Sequence, residues 1–181
     1  MENYTIETSR LLLNFPTKND LESFLFEINS TDAYSKNLFS ISYPFSAEQT
    51  NNWFEKCQEG NRNGLSIRFA IREKEVGKLF GIIGIHINKE HQKAELGYWL
   101  GKNYWGKGYI SEGLTAVIKF GFEELELNKI VATHFLFNPA SGKAMQNAGM
   151  KLEGLQLQEY LQDGQFLDVK KYYILKEDVL F

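Results

Sequence analysis

The chain has 181 residues, 43% of them apolar and 24% charged, and a formal net charge of −3. That is enough for one substantial core, read as a single domain over residues 1–181, and it leaves no general basic field for nucleic-acid phosphates. One cysteine, Cys57, excludes an internal disulfide and fits a reducing cytoplasm, while His86, His91 and His134 lack metal-ligand spacing. The opening "MENYTIETSR" has no apolar signal core and no later run reaches membrane-spanning length, so the expectation is a cytoplasmic protein without membrane, metal or nucleic-acid partners.

Taken in order, "YTIETSRLLLN" (4–14) reads as a first strand. Thr17 and Asp20 are spaced as a capping box, and Leu21, Phe24, Leu25 and Ile28 follow at helical spacing. An aromatic loop, "NLFSISYPF" (37–45), leads to a second box at Ser46 and Gln49 and a short helix carrying Trp53, Phe54 and Cys57. "LSIRFAIRE", "KLFGIIGIHINKE" and "KAELGYWLG" read as three strands, the first two antiparallel. Ile110, Leu114, Val117, Ile118 and Gly121 lie on one face of a third helix. "KIVATHFLF" is a further strand. "NPASGKAMQNAG" (138–149) is a helix with Asn138 as cap, Pro139 at its first position and Gly149 as stop. Two last strands flank Asp163–Gly164, a strong hairpin-turn pair. The sum is an α/β (α+β) domain, with a mixed, mostly antiparallel sheet of about seven strands flanked by about four helices.

Between the fourth strand and the third helix stands "YWGKGYISEG" (104–113). Its glycines match neither G-x-x-x-x-G-K-[ST] nor G-x-G-x-x-G, so both nucleotide-loop readings fail on spacing. Two readings remain. Gly106 and Gly108 let successive N–H groups converge beside the positive end of a helix dipole, a nest for diphosphate. Alternatively, they only accommodate positive φ in a tight turn.

"ELGYWLGKNYWGKGYISEGLTAVIKFGFEELELNKI" (95–130) resembles the acetyl-CoA-binding region of the GNAT family of N-acetyltransferases, and within it the RimJ/RimL type that acts on ribosomal proteins. Trp105 opens the signature and Gly108 fills its first required glycine, while Ile110 replaces its final small residue. "NPASGKAMQNAGMKLEG" resembles the family's N-x-x-S block, "EYLQDGQFLDV" its final hairpin and "ETSRLLL" its start, although Asn14 stands where an arginine is common. The resemblance implies acetyl transfer from acetyl-CoA to an amine by direct attack in a ternary complex. It places the cofactor on Trp105, Gly106, Lys107, Gly108, Tyr109, Ile110 and Ser111, on Tyr98, Trp99 and Leu100 of the fourth strand, and on Asn138, Ser141 and Lys143. It implies Ser141 as acid toward the thiolate, and Met145 stands where many relatives carry a tyrosine. An oxyanion donor is expected among the main-chain amides of residues 98–100, with Gly97 marking a bulge or a close packing contact.

For the base, Leu155, Leu157, Glu159 and Leu161 alternate onto one strand face, and a two-residue turn would set Glu159 opposite Asp168. Apolar surroundings and a like charge both raise a carboxyl pKa. Glu159 matches the glutamate held to be the base in similar proteins, with Glu95 its rival and a water relay open to either. The bland alternative is a half-solvated Glu159 paired with a lysine. Tyr43, Phe45 and Trp53 either line an acceptor cleft or belong to the core, and His134 reads as a packing residue. The acceptor is expected to be a protein N-terminal α-amine of ribosomal-protein type. Alternatives are a small amine (polyamine, amino sugar or antibiotic) or a module that binds acyl-CoA without turnover. The aromatic content permits a homodimer.

Overall fold

A computed structural model of the chain describes residues 4–38 and 41–179, so Phe39 and Ser40 of the aromatic loop and the first three residues lie outside the described set. Among the described residues eight strands form one sheet: β1 (Thr5–Glu7), β2 (Leu11–Asn14), β3 (Ser66–Glu73), β4 (Leu79–Asn88), β5 (Lys93–Leu100), β6 (Lys129–Phe135), β7 (Lys151–Gln162) and β8 (Gln165–Leu175). Their spatial order is β1-β2-β3-β4-β5-β6-β8-β7. Five α-helices of the described residues flank them: α1 (Leu21–Ile28), α2 (Ala33–Asn37), α3 (Ala47–Asn63), α4 (Tyr109–Glu123) and α5 (Pro139–Asn147). Every neighbouring pair is antiparallel except β5–β6, which is parallel. The architecture is the expected mixed, mostly antiparallel one, with one more strand and one more helix than the pattern suggested. Among the described residues no helix is long and apolar enough to cross a membrane.

The extra strand arises because the first predicted strand breaks at residues 8–10. There the Thr8 N–H donates to the Leu11 carbonyl at 2.9 Å, and the Leu11 N–H donates back to Thr8 Oγ1 at 2.8 Å. The second predicted helix is not short. Its capping box forms, with the Gln49 N–H 3.1 Å from Ser46 Oγ, and its polar continuation runs until Gly64 adopts a left-handed φ of 62°.

The sheet separates two cores. Strand alternation sends Ile83 and Ile85 of β4 toward Leu114, Val117 and Ile118 of α4, and Ile82 toward Phe24 of α1 and Phe54 of α3. Trp99 belongs to the second core, with its ring 5.3 Å from that of Phe24.

Two strand-level expectations are corrected. The β4–β5 ladder runs regularly through Gly84↔Gly97, so Gly97 marks no bulge. In the final hairpin the Asp163–Gly164 turn forms with both residues at positive φ, and Leu161↔Phe166 and Tyr160↔Leu167 follow it. Pairing then resumes only at Gln156↔Val169, leaving residues 157–159 against Asp168 alone. Asp168 Oδ1 accepts the Gln158 N–H at 2.8 Å, with Gln158 at φ 50°, so Glu159 is displaced from the position opposite Asp168. The leucine face is solvent-facing too: Leu157 is 69% and Leu161 61% exposed, and Glu159 is exposed beside them.

One buried ion pair ties the first helix to the sheet. The Arg72 guanidinium meets Asp20 at 2.5 and 2.7 Å and also donates to Asn14 Oδ1 at 2.8 Å. Burial alone would raise the Asp20 pKa, but Arg72 and the Thr17 N–H outweigh it and hold the carboxyl below its usual range. Arg72→Met should therefore cost about 3–5 kcal/mol in denaturant melts at neutral pH, because it strands a buried charge. Arg72 holds the folded Asp20 pKa down and burial raises it once Arg72 is gone, so the cost should shrink as pH falls into the acid range and the stranded carboxyl of the variant protonates before that of the wild type. A pH-independent difference would exclude the ion pair as its cause.

Candidate active site

The site begins where β5 and β6 part. Their ladder runs from Lys93↔Lys129 to Leu96↔Ala132 and stops, although β5 continues to Leu100 and β6 to Phe135. Beyond that point the facing main-chain edges have no strand partner, and a cleft of about 810 Å³ opens between them. The glycine loop forms one wall and the start of α5 another.

The loop is held from several directions. Gly106 (φ 73°) and Gly108 (φ 79°) are left-handed, a conformation that side chains with a Cβ resist. The first helical bond of α4 runs from the Glu112 N–H to the Gly108 carbonyl at 3.1 Å, so the amides of residues 109–111 precede the ladder. The Leu100 carbonyl accepts both the Trp105 indole N–H and the Tyr34 hydroxyl, each at 2.6 Å. Tyr104 stacks on Phe80 with centroids 4.1 Å apart, and the Tyr109 hydroxyl donates to the Glu73 carboxylate. Every residue expected to hold a cofactor lines the cleft except Lys107, whose ammonium lies 5.6 Å from the Tyr104 ring centroid instead. Ile110 both lines the cleft and packs against the core. Trp99 lines the cleft and also packs in the second core.

On the opposite wall, Asn138 caps α5 through its Oδ1, which accepts the Ser141 N–H at 3.4 Å. Ser141 Oγ lies 2.7 Å from the Tyr98 hydroxyl, either atom serving as donor, and the Tyr98 hydroxyl also lies 3.0 Å from the Ser141 carbonyl. Burial pushes the Tyr98 pKa upward, against the smaller opposing effect of Ser141, so the phenol keeps its proton. Met145 is fully buried in the core. His134 is buried, its Nδ1 2.8 Å from the Phe135 carbonyl, and it packs so closely on Gly142 that a Cβ there would come within 2.5 Å of Nε2.

A second cleft of about 350 Å³ adjoins the first and shares His86, Glu95, Thr133 and Tyr160 with it. Glu159 lines this smaller cleft together with Lys93 and Lys171. Glu95, paired across β4–β5 with His86, lines both. Its side chain reaches solvent, yet enclosure by the cleft walls raises its pKa above the usual carboxylate range, with Glu159 adding to the effect and Lys171 opposing it. Enclosure lowers the His86 pKa, helped by Arg68. Tyr43, Phe45 and Trp53 do not line the main cleft: Phe45 and Trp53 pack in the second core, and Tyr43 is exposed. Sequence reading missed His86, Thr133, Tyr160 and Tyr34, which come from four distant elements and share no local spacing. Among the described residues no group of His, Cys, Asp or Glu is arranged to hold a metal ion.

Comparison with known proteins meets this geometry. Residues 10–151 match the acetyltransferase (GNAT) domain family. The chain is 32% identical over 177 residues to the uncharacterized N-acetyltransferase YoaA of Bacillus subtilis, covering 94% of this chain and 96% of that protein. It is 30% identical over 138 residues to the ribosomal-protein-serine acetyltransferase of Escherichia coli, covering 69% and 76%. It is 25% identical over 173 residues to the spermidine N(1)-acetyltransferase of Vibrio cholerae, covering 95% and 96%. The chain therefore belongs to the GNAT acetyltransferase family and is an acetyl-CoA-dependent enzyme that acetylates an amine.

Proposed function

We propose that the acceptor is the α-amino group of a protein N-terminus, of the kind the ribosomal-protein acetyltransferases modify, and that acetyl-CoA lies in the larger cleft with its diphosphate on the glycine loop. The observation that carries this reading is the pair of adjoining clefts that meet at Glu95, one for each substrate. The loop suits a diphosphate by its donor set. Residues 109–111 offer unladdered amides at the positive end of a fifteen-residue helix, and no heavy atom lies within 4 Å of where a Cβ on Gly106 would stand. When bound, acetyl-CoA supplies an activated acyl group with a thiol leaving group.

The chain's own residues then divide the work. Glu95 takes the proton from the acceptor ammonium, directly or through water, and its raised pKa brings it nearer to working pH. Glu159 lies in the acceptor cleft and acts on Glu95 as a like charge. The main-chain amides of Tyr98 and Leu100, on the side of β5 that β6 has left, are the donors for the developing oxyanion. Ser141, held by Tyr98, returns a proton to the departing sulfur, so a tyrosine from β5 backs the serine where Met145 stands in the core. The smaller cleft sets Lys93 and Lys171 beside Glu95 and Glu159, so the additional charges of a polycation gain no net attraction there over a single terminal ammonium. The length over which the spermidine enzyme is similar favours a polyamine acceptor as the second reading.

Thiol release measured with peptides beginning in Ser or Ala should give kcat/KM at least ~10-fold above that for spermidine, a difference of about 1.4 kcal/mol. The reverse order would overturn the N-terminal assignment. Glu95→Gln should lower kcat by roughly 10²–10⁴ and abolish the acidic limb of the pH profile, with acetyl-CoA affinity kept. Glu159→Gln should move that limb to lower pH, because removing a like charge lowers the Glu95 pKa. A limb that ignores both substitutions would place the base elsewhere. Gly108→Ala, forced into a left-handed turn at a cost of about 1–2 kcal/mol, should weaken acetyl-CoA binding by calorimetry roughly tenfold. Unchanged affinity would move the diphosphate off the loop.

A further inference from the structure

We propose that Arg10, on the turn between β1 and β2, is a positioning residue for the anion-binding loop: it neutralises Glu112 and fixes the Lys107 carbonyl, so that the amides after Gly108 stay aimed at the diphosphate. This rests on the loop being the diphosphate seat. The problem it solves is electrostatic. Glu112 sits in the first turn of α4, next to the amides of residues 109–111, and a bare carboxylate there would repel the anion that those amides attract.

The structure surrounds that carboxylate. Oε1 accepts from Thr8 Oγ1 at 2.6 Å, Ser9 Oγ at 2.9 Å and the Arg10 N–H at 2.9 Å, while Oε2 meets Arg10 Nε and Nη2 at 2.6 Å each. Burial would raise its pKa, but these bonds outweigh it and hold the carboxyl down at about 2, so the charge to be cancelled is permanent. Arg10 spends its third nitrogen on the loop itself, Nη1 donating to the Lys107 carbonyl at 3.0 Å. Its guanidinium carbon lies 4.4 Å from the Tyr109 ring centroid. One side chain therefore touches residues 107, 109 and 112, on both sides of left-handed Gly108, using the planar fork that only arginine offers. The Arg10 side chain is itself 44% exposed, so the core does not require it.

A clamp that serves only the fold and one that serves the diphosphate are separated by the donor. S-acetylpantetheine carries the same thioester without the diphosphate. Steady-state kinetics with both donors, on the wild type, Arg10→Gln, Arg10→Lys and the double variant Arg10→Gln/Glu112→Gln, make the test, with melting curves confirming that each variant is folded. Arg10→Gln should raise KM for acetyl-CoA by ~10-fold or more, the scale of a lost charge-assisted hydrogen bond, with kcat within about twofold. The rise should be confined to the diphosphate donor. Arg10→Lys, which keeps the charge but loses the fork, should fall between, and the double variant should recover part of the loss by removing the stranded carboxylate. Equal losses with both donors, or no recovery in the double variant, would reduce Arg10 to a structural clamp and overturn the proposal. If the wild type itself draws no advantage from acetyl-CoA over S-acetylpantetheine, the assignment of the loop as diphosphate seat fails instead.

Discussion

The parallel pairing of β5 with β6 ends at Leu96↔Ala132, in the middle of an otherwise continuous sheet, and the rest of the site depends on that interruption. Unpaired main-chain groups inside a sheet are costly unless something else meets them. Here the Leu100 carbonyl is met by Tyr34 and Trp105, which draw a helix from one side and the glycine loop from the other onto the same oxygen. The remaining edges face the cleft, where a ligand can use them. An interruption that would be a defect in a plain sheet thus supplies both the space for a substrate and the polar groups to hold it.

The carboxylates show how the fold assigns different work to one functional group. Asp20 is buried against Arg72 and serves the junction of α1 with the sheet. Glu112 is enclosed by five donors from the β1–β2 turn and stays ionised without presenting bare charge to the loop. Glu95 is enclosed in the cleft with Lys171 opposing only in part, and its affinity for a proton rises. The difference lies in the partners that the topology supplies, since the side chains carry the same acid.

Much of the architecture was legible because its determinants are local. The capping box at Ser46, the Asn138–Pro139 helix start and the Asp163–Gly164 turn each act within about four residues and form as read, while at Thr17 only half the box forms, the Thr17 N–H donating to Asp20 Oδ2 at 2.7 Å. The glycine loop was legible for the same reason, since left-handed φ at Gly106 and Gly108 is a property of the residues that adopt it. The register of Glu159 was not, because Gln158 takes a positive φ that its side chain does not advertise and Asp168 stabilises from the neighbouring strand. Neither was the Gly97 region: its amides are free on the β6 side because β6 turns away, while the β4 side is regular.

By itself, then, the sequence determined the order of most elements, the helix caps at Ser46 and Asn138, the hairpin turn, the glycine-lined helix entry and the kinship that these motifs carry, the local features being consequences of short-range sterics and hydrogen bonding. Tertiary structure decided which groups meet. Arg72 reaches Asp20 across 52 positions and Arg10 reaches Glu112 across 102, while Tyr98 finds Ser141 only because β5 and α5 face one cleft. No periodicity encodes such pairs, since they are set by how strands stack and part. That is why Glu95, Tyr160, His86 and Thr133 became one site only once the chain was folded.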